Sequence, residues 1–212
     1  ENTHAWRACL TGLLGDYNVS PFAAAQDSKG QSIPADAGAF RSGDIRYVVM
    51  LPLKDMVPEL NIGEISMDQL AKRALPATIT LNARGEIYDL RNHSLAGSGN
   101  QFKTTITPMV AKVYAVVPRK PTLTLTIPSK VKPGQSFAFS LKSDLKGKLP
   151  VYVEVLDARK HPLDYFSGTR FASLDGASET LPIALDAETG TWTIRATNVI
   201  TGKTIQKTFE LK

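Results

Sequence analysis

A mainly β fold, with two tandem antiparallel β-sandwich domains and a short N-terminal helix, is what this 212-residue sequence predicts. Three observations carry the prediction. Short runs rich in β-branched and aromatic residues alternate apolar with polar positions, as half-buried strands require. Clusters of Gly, Pro, Asp and Ser cut these runs apart at short intervals. Finally, Pro118-Arg119-Lys120-Pro121 interrupts the alternation at mid-chain, where a linker between two domains of ordinary size would fall.

Taken in order, residues 3–14 read as a helix, because Trp6, Cys9, Leu10, Leu13 and Leu14 recur at three- and four-residue spacing. Thr3 is placed to cap its start and Gly15 to end it, and Cys9 is expected as a buried thiol. This helix, within residues 1–17, must bury its stripe: it is expected either to pack on the following sandwich or to be the tail of a preceding domain, the second fitting the abrupt start. Residues 18–118 form the first predicted sandwich. Asp27-Ser28-Lys29-Gly30 and Arg41-Ser42-Gly43-Asp44 are turns, with a short strand on either side. Residues 45–51 (IRYVVML) form a buried strand that Pro52 ends. Residues 53–75 break the alternation and read as an insertion, in which Ser66 and Gln69 form a capping box for one or two helical turns.

Strand character resumes at residues 78–81. After a turn at Gly85, a short aromatic strand (87–90) and two alternating strands follow, the last with Val113, Ala115 and Val117 on one side. The second predicted domain, immunoglobulin-like and spanning residues 119–212, opens with Leu123, Leu125 and Ile127 alternating against threonines. Phe137, Phe139 and Leu141 then mark a strand, as do Val151, Val153 and Val155. Beyond the loop at His161-Pro162, strands are expected at 170–173 and 179–185. Trp192, Ile194 and Ala196 lead into a closing hairpin through Thr201-Gly202.

Composition narrows the function classes. The net charge is +5, but Lys and Arg are scattered singly, the pattern of a solvated surface; a nucleic-acid binder concentrates them on one face. No partner nucleic acid is therefore expected. The field still favours weak contact with acidic polysaccharide. No apolar run reaches the roughly 18 residues of a membrane span. Cys9 is the only cysteine, so neither an internal disulfide nor a cysteine-based zinc site is available.

No catalytic set stands out. His4, His93 and His161 lack ligand spacing, and GxSxG, P-loop and GxGxxG patterns are absent. Asp36, Asp44, Asp55, Glu59, Glu64, Asp68, Glu86 and Asp89 offer the carboxylate pairs of a glycosidase, yet most adjoin turns, where Asp serves backbone hydrogen bonding. Neither a cofactor nor a metal is expected. Sugar-binding sandwiches present aromatic rings to pyranose faces, and Tyr47, Tyr88, Tyr114, Tyr152, Tyr165 and Phe166 are the aromatics to consider. From this set Tyr165, Phe166 and Tyr88 are the expected glycan contacts.

Asp27-Ser28-Lys29-Gly30, residues 40–47 (FRSGDIRY), Ile87-Tyr88-Asp89-Leu90-Arg91 and residues 111–118 follow one another in an order that resembles the C-terminal β-domains of large bacterial β-galactosidase-like glycoside hydrolases. In that family a TIM barrel and a trimerisation domain precede such a region. The stretch 190–197, with Thr201-Gly202-Lys203, is similar to the closing hairpin of macroglobulin-like bacterial sandwiches. The resemblance implies a non-catalytic accessory region of a carbohydrate-active protein, secreted, periplasmic or cell-surface. It implies the parent's catalytic domain as partner and polysaccharide as an optional contact. The family's catalytic glutamates sit on the barrel, so none is carried over to this chain. The alternative is an adhesion-type module that works by protein contacts.

Overall fold

The structure, a computed structural model, describes residues 21–53 and 66–212, together with Cys9, Gly12, Leu13, Leu14 and Asp16. It is mainly β, and nearly all the strand pairing is antiparallel. The chain groups into two compact units. One holds residues 1–39, 48–84 and 97–112, the other residues 40–47, 85–96 and 113–212.

The helical residues 9, 12–14 and 16 fall in and just past the predicted N-terminal helix, whose Trp6 and Leu10 lie outside the described residues. Cys9 is exposed, as are Leu13 and Leu14, so the expectation of a buried thiol is corrected.

Six strands make the first sheet: β1 (Ala23–Asp27), β2 (Ala35–Ser42), β3 (Ile45–Pro52), β4 (Leu75–Asp89), β5 (Ser94–Ile106) and β6 (Lys112–Val117). Their order is β1-β4-β6-β3-β2, with β5 also on β4. In the first unit Ala23 and Ala25 of β1 lie opposite Leu81 and Ile79 of β4, and all four are buried. Small alanines let this pair close over larger partners. The Asp27 carboxylate accepts the Lys29 and Gln31 backbone N–H groups, and Gly30 takes a positive φ of 79°, which makes the turn the sequence signals. A six-residue helix (Met67–Lys72) precedes β4, with the predicted capping box of Ser66 and Gln69 formed in both directions. Leu70 is the side chain that anchors it. The rest of the predicted insertion, residues 54–65, lies outside the described residues.

β4 differs from the sequence reading. It continues as one 15-residue strand through Gly85, where a turn was expected. Glycine is needed there for a close approach: a Cβ would collide with the Val117 carbonyl on β6. Facing Glu86–Asp89, residues 114–117 of β6 are buried on both faces, the pattern of a central strand.

Eight further strands belong to the second unit. β11 (Gly168–Ala172), β10 (Leu149–Leu156), β13 (Gly190–Asn198), β14 (Thr204–Leu211) and β8 (Lys130–Val131) form a five-stranded sheet in that order. β12 (Ala177–Pro182), β9 (Ser136–Ser143) and β7 (Leu123–Thr126) form a three-stranded one. Their inward residues meet in one core. Phe137 of β9 stacks on Phe209 of β14 at 4.4 Å, and Trp192 of β13 lies 5.9 Å from Phe209. The Trp192 indole N–H donates to the Glu188 carbonyl at 2.9 Å, so its burial leaves no unmet donor. Each such side chain contributes about 1.5–3 kcal/mol by leaving water. At the sheet margin Arg170 of β11 forms an ion pair with Glu179 of β12, tying one sheet to the other. β8, which runs parallel to β14, is too short to show a period in the sequence.

Two turns of the second unit dock on each other. The Asp44 N–H donates to the Lys146 carbonyl (2.8 Å), the Lys146 N–H to the Asp44 carboxylate (2.9 Å), and the Lys148 N–H to Ser42 Oγ (2.9 Å). Gly43 and Gly147 face each other's backbone, and a Cβ on either would overlap it. Arg119 and the Thr122 N–H bind the Asp144 carboxylate beside this contact, at 3.0 and 2.8 Å.

Candidate functional site

The alternation of β10 decides which side chains reach solvent. Leu149, Val151, Val153 and Val155 enter the core, which leaves Pro150, Tyr152 and Glu154 on the outer face of the five-stranded sheet. The register sets Phe171 of β11 opposite Pro150 and Thr169 opposite Tyr152. Tyr152 and Phe171 are therefore diagonal neighbours on one face, about 7–8 Å apart between backbones. They are 47% and 49% exposed, so about half of each side chain meets solvent. Lys148 Nζ lies 5.8 Å from the Phe171 ring centroid, a cation–π contact that restrains one side of this patch.

Polar groups extend the same face. Arg195 of β13 pairs with Glu154 at 3.1 Å, and Thr197 shares a hydrogen bond with Thr204 of β14 at 2.8 Å. Lys160 donates to Thr193 at 2.9 Å, and Thr191 donates to Glu210 at 2.6 Å. Hydroxyls and side-chain charges thus lie in rows beside two rings. Half-exposed aromatic side chains bordered by donors and acceptors are of the kind that can meet the C–H face and the hydroxyls of a sugar.

The expected glycan contacts fall elsewhere. Tyr88 of β4 is buried at 4% exposure within the core of the second unit, and its hydroxyl donates to Glu86 at 2.6 Å. Burial, followed by the hydrogen bond and charge of Glu86, pushes its phenol well above the ordinary range. Phe166 is also a core side chain, at 6% exposure. It is held there by a turn in which its N–H donates to the Leu163 carbonyl. Those two rings are therefore removed from any exposed platform, because their strand and turn point them inward. Tyr165 is 71% exposed, with its ring tilted over Phe166 at 4.2 Å. Of the three, Tyr165 alone presents a ring to solvent. Phe171 was missed by the sequence reading, although the alternation of Thr169 and Phe171 against Arg170 and Ala172 carries the signal. Tyr47, another aromatic considered, packs on Phe40 at 5.3 Å, and burial raises its phenol to about 12.

The titratable groups have structural work. Asp89 closes the turn after β4, accepting the Arg91 and Asn92 backbone N–H groups and the Asn92 amide. His93 Nδ1 lies 2.6 Å from the Val199 carbonyl, and His161 Nδ1 lies 3.6 Å from Asp157. His4, Asp55, Glu59 and Glu64 lie outside the described residues. Among the described residues no group of three His, Cys, Asp or Glu side chains converges to hold a metal ion. No described helix is long and apolar enough to cross a membrane.

No protein-family model matches the chain, and no curated protein matches it.

Proposed function

We propose that this chain is a non-catalytic accessory region of a bacterial carbohydrate-active protein, a glycoside hydrolase of the β-galactosidase-like kind. It stabilises or orients the catalytic part and touches glycan through the outer face of its five-stranded sheet. The observation that carries the glycan contact is the pair Tyr152 and Phe171, half-exposed on one face beside rows of threonine, arginine and glutamate. Isolated exposed aromatics are common on protein surfaces, but two in diagonal register form a patch, and patches serve contact. The sequence resemblance supports the accessory role. The strand groups β7-β9-β12 and β10-β13-β14 also follow the order of an immunoglobulin-like sandwich, a scaffold that works through its surface.

A glycan array probed with the chain, paired with hydrolysis assays on the same sugars, tests this reading. The expected outcome is retention on neutral β-linked oligosaccharides without turnover. Turnover of any glycoside by this chain would overturn the accessory role. Retention of a single protein partner with no glycan bound would replace it with the adhesion reading.

A further inference from the structure

β14 of the five-stranded sheet has an edge that is covered at one end only. β13 pairs with it along its whole length, from Gly190↔Leu211 to Thr197↔Thr204, whereas β8 on the other side reaches only Glu210 and Leu211. In an antiparallel ladder the backbone groups of alternate residues point to opposite neighbours. The Glu210 N–H donates to the Ser129 carbonyl at 2.9 Å and the Lys212 N–H to the Val131 carbonyl at 3.1 Å, so these residues face the β8 side. Thr204, Gln206 and Thr208 share their phase and direct N–H and C=O groups the same way, past the point where β8 ends. All three are exposed, and among the described residues no strand pairs with them there.

Lys207 supplies the second observation. On the core-facing side of β14, Phe209 and Leu211 are buried and Ile205 packs partly against the core. Alternation places Lys207 on that same side, opposite the fully buried Ile194 of β13. The pattern asks for an apolar residue, yet an exposed lysine stands there. Such a side chain lays its stem along apolar neighbours only while its ammonium stays in water. The open edge provides that exit.

An unpaired strand edge is a template for another strand, and an inward-pointing lysine is one of the devices that keep it from pairing. We propose that the free edge of β14 is a pairing surface for a second copy of this chain, and that Lys207 holds it unpaired. The register follows from the open positions. Antiparallel pairing of Thr204 with Thr208 of the second copy, and of Gln206 with Gln206, uses all three without displacing β8. This is a two-fold contact, which closes on itself at two copies. In it Lys207 lies opposite Ile205 of the second copy and diagonal to the other Lys207, about 7–8 Å away between backbones. Pairing would draw both ammonium groups out of water side by side, so desolvation and like charge oppose it.

Hydrogen exchange read residue by residue by NMR tests the edge in the parent chain. The amides of Thr204, Gln206 and Thr208 should exchange about tenfold or more faster than those of Ile205, Lys207 and Phe209, which face β13. Sedimentation equilibrium tests the guard. Lys207→Val should form a dimer about tenfold or more tighter than any the parent forms. Lys207→Thr removes the same charge with a polar strand former, so it should also strengthen association, and it covers the case in which valine disturbs the fold. Lys207→Arg keeps the charge and should behave as the parent. Gln206→Pro added to Lys207→Val deletes the central N–H of the free edge, leaves the β13 ladder intact and should restore the monomer. Equal protection of the two sets of amides would show the edge to be covered and overturn the pairing surface. Association unchanged by both Lys207→Val and Lys207→Thr would overturn the guard. A dimer that survives Gln206→Pro would place the contact elsewhere and overturn the proposal as a whole.

Discussion

Asp144 shows how one side chain can set a junction. Burial alone would raise its carboxyl, but the Thr122 N–H and the Arg119 guanidinium outweigh burial and hold it below the ordinary range. A carboxylate depressed in the folded state stabilises the fold above its unfolded value, about 4, and that contribution is lost as pH falls through the lower folded value. Asp144→Asn should therefore cost about 1 kcal/mol near neutral pH, since the charge-assisted part of these partly exposed bonds is lost. The difference from the parent chain should shrink steadily below about pH 4. Urea melts at several pH values check it, and a difference that grows toward acid would contradict the assignment. At this scale the sequence was legible only where a residue acts locally. Asp27 and Ser66 announce their turn and cap through neighbours two to four positions away. Tyr88 and Phe166 look the same as exposed aromatics in sequence, because the direction of a ring depends on which face of the strand or turn the core takes. Phe171 was passed over for the same reason, its exposure being set by its register with Pro150.

At the scale of elements, the docked turns at Ser42–Asp44 and Lys146–Lys148 lock the second unit to its early segments. Gly147 has a φ of 104°, and a Cβ there would overlap the Ser42 carbonyl. Gly147→Ala should destabilise the chain by about 2–3 kcal/mol, from backbone strain and the separation of the paired turns. Gly38→Ala, with open space around it, should stay within about 1 kcal/mol of the parent. Thermal unfolding of both variants tests this, and equal midpoints would contradict the close approach. Both turns could be read in the sequence as turns. Their meeting could not, because the partners are about a hundred residues apart and each shows only the polar composition of an ordinary loop. Long β4 was hidden similarly: Gly85 reads as a turn when its reason is the Val117 carbonyl across the sheet.

At the scale of the whole molecule, the sandwich architecture was legible because apolar alternation and its interruptions follow directly from burial on one face. The candidate site was less so. A glycan surface on a sheet needs rings from neighbouring strands in register, and pairing partners are not encoded by local pattern. The central claim is that Tyr152 and Phe171 form that surface. Calorimetric titration of a neutral oligosaccharide retained on the array, against the parent chain and Tyr152→Ala with Phe171→Ala, tests it most directly. Removing both rings should weaken binding about tenfold or more, while stability changes little because both are half-exposed. Affinity unchanged by loss of the two rings would contradict the account.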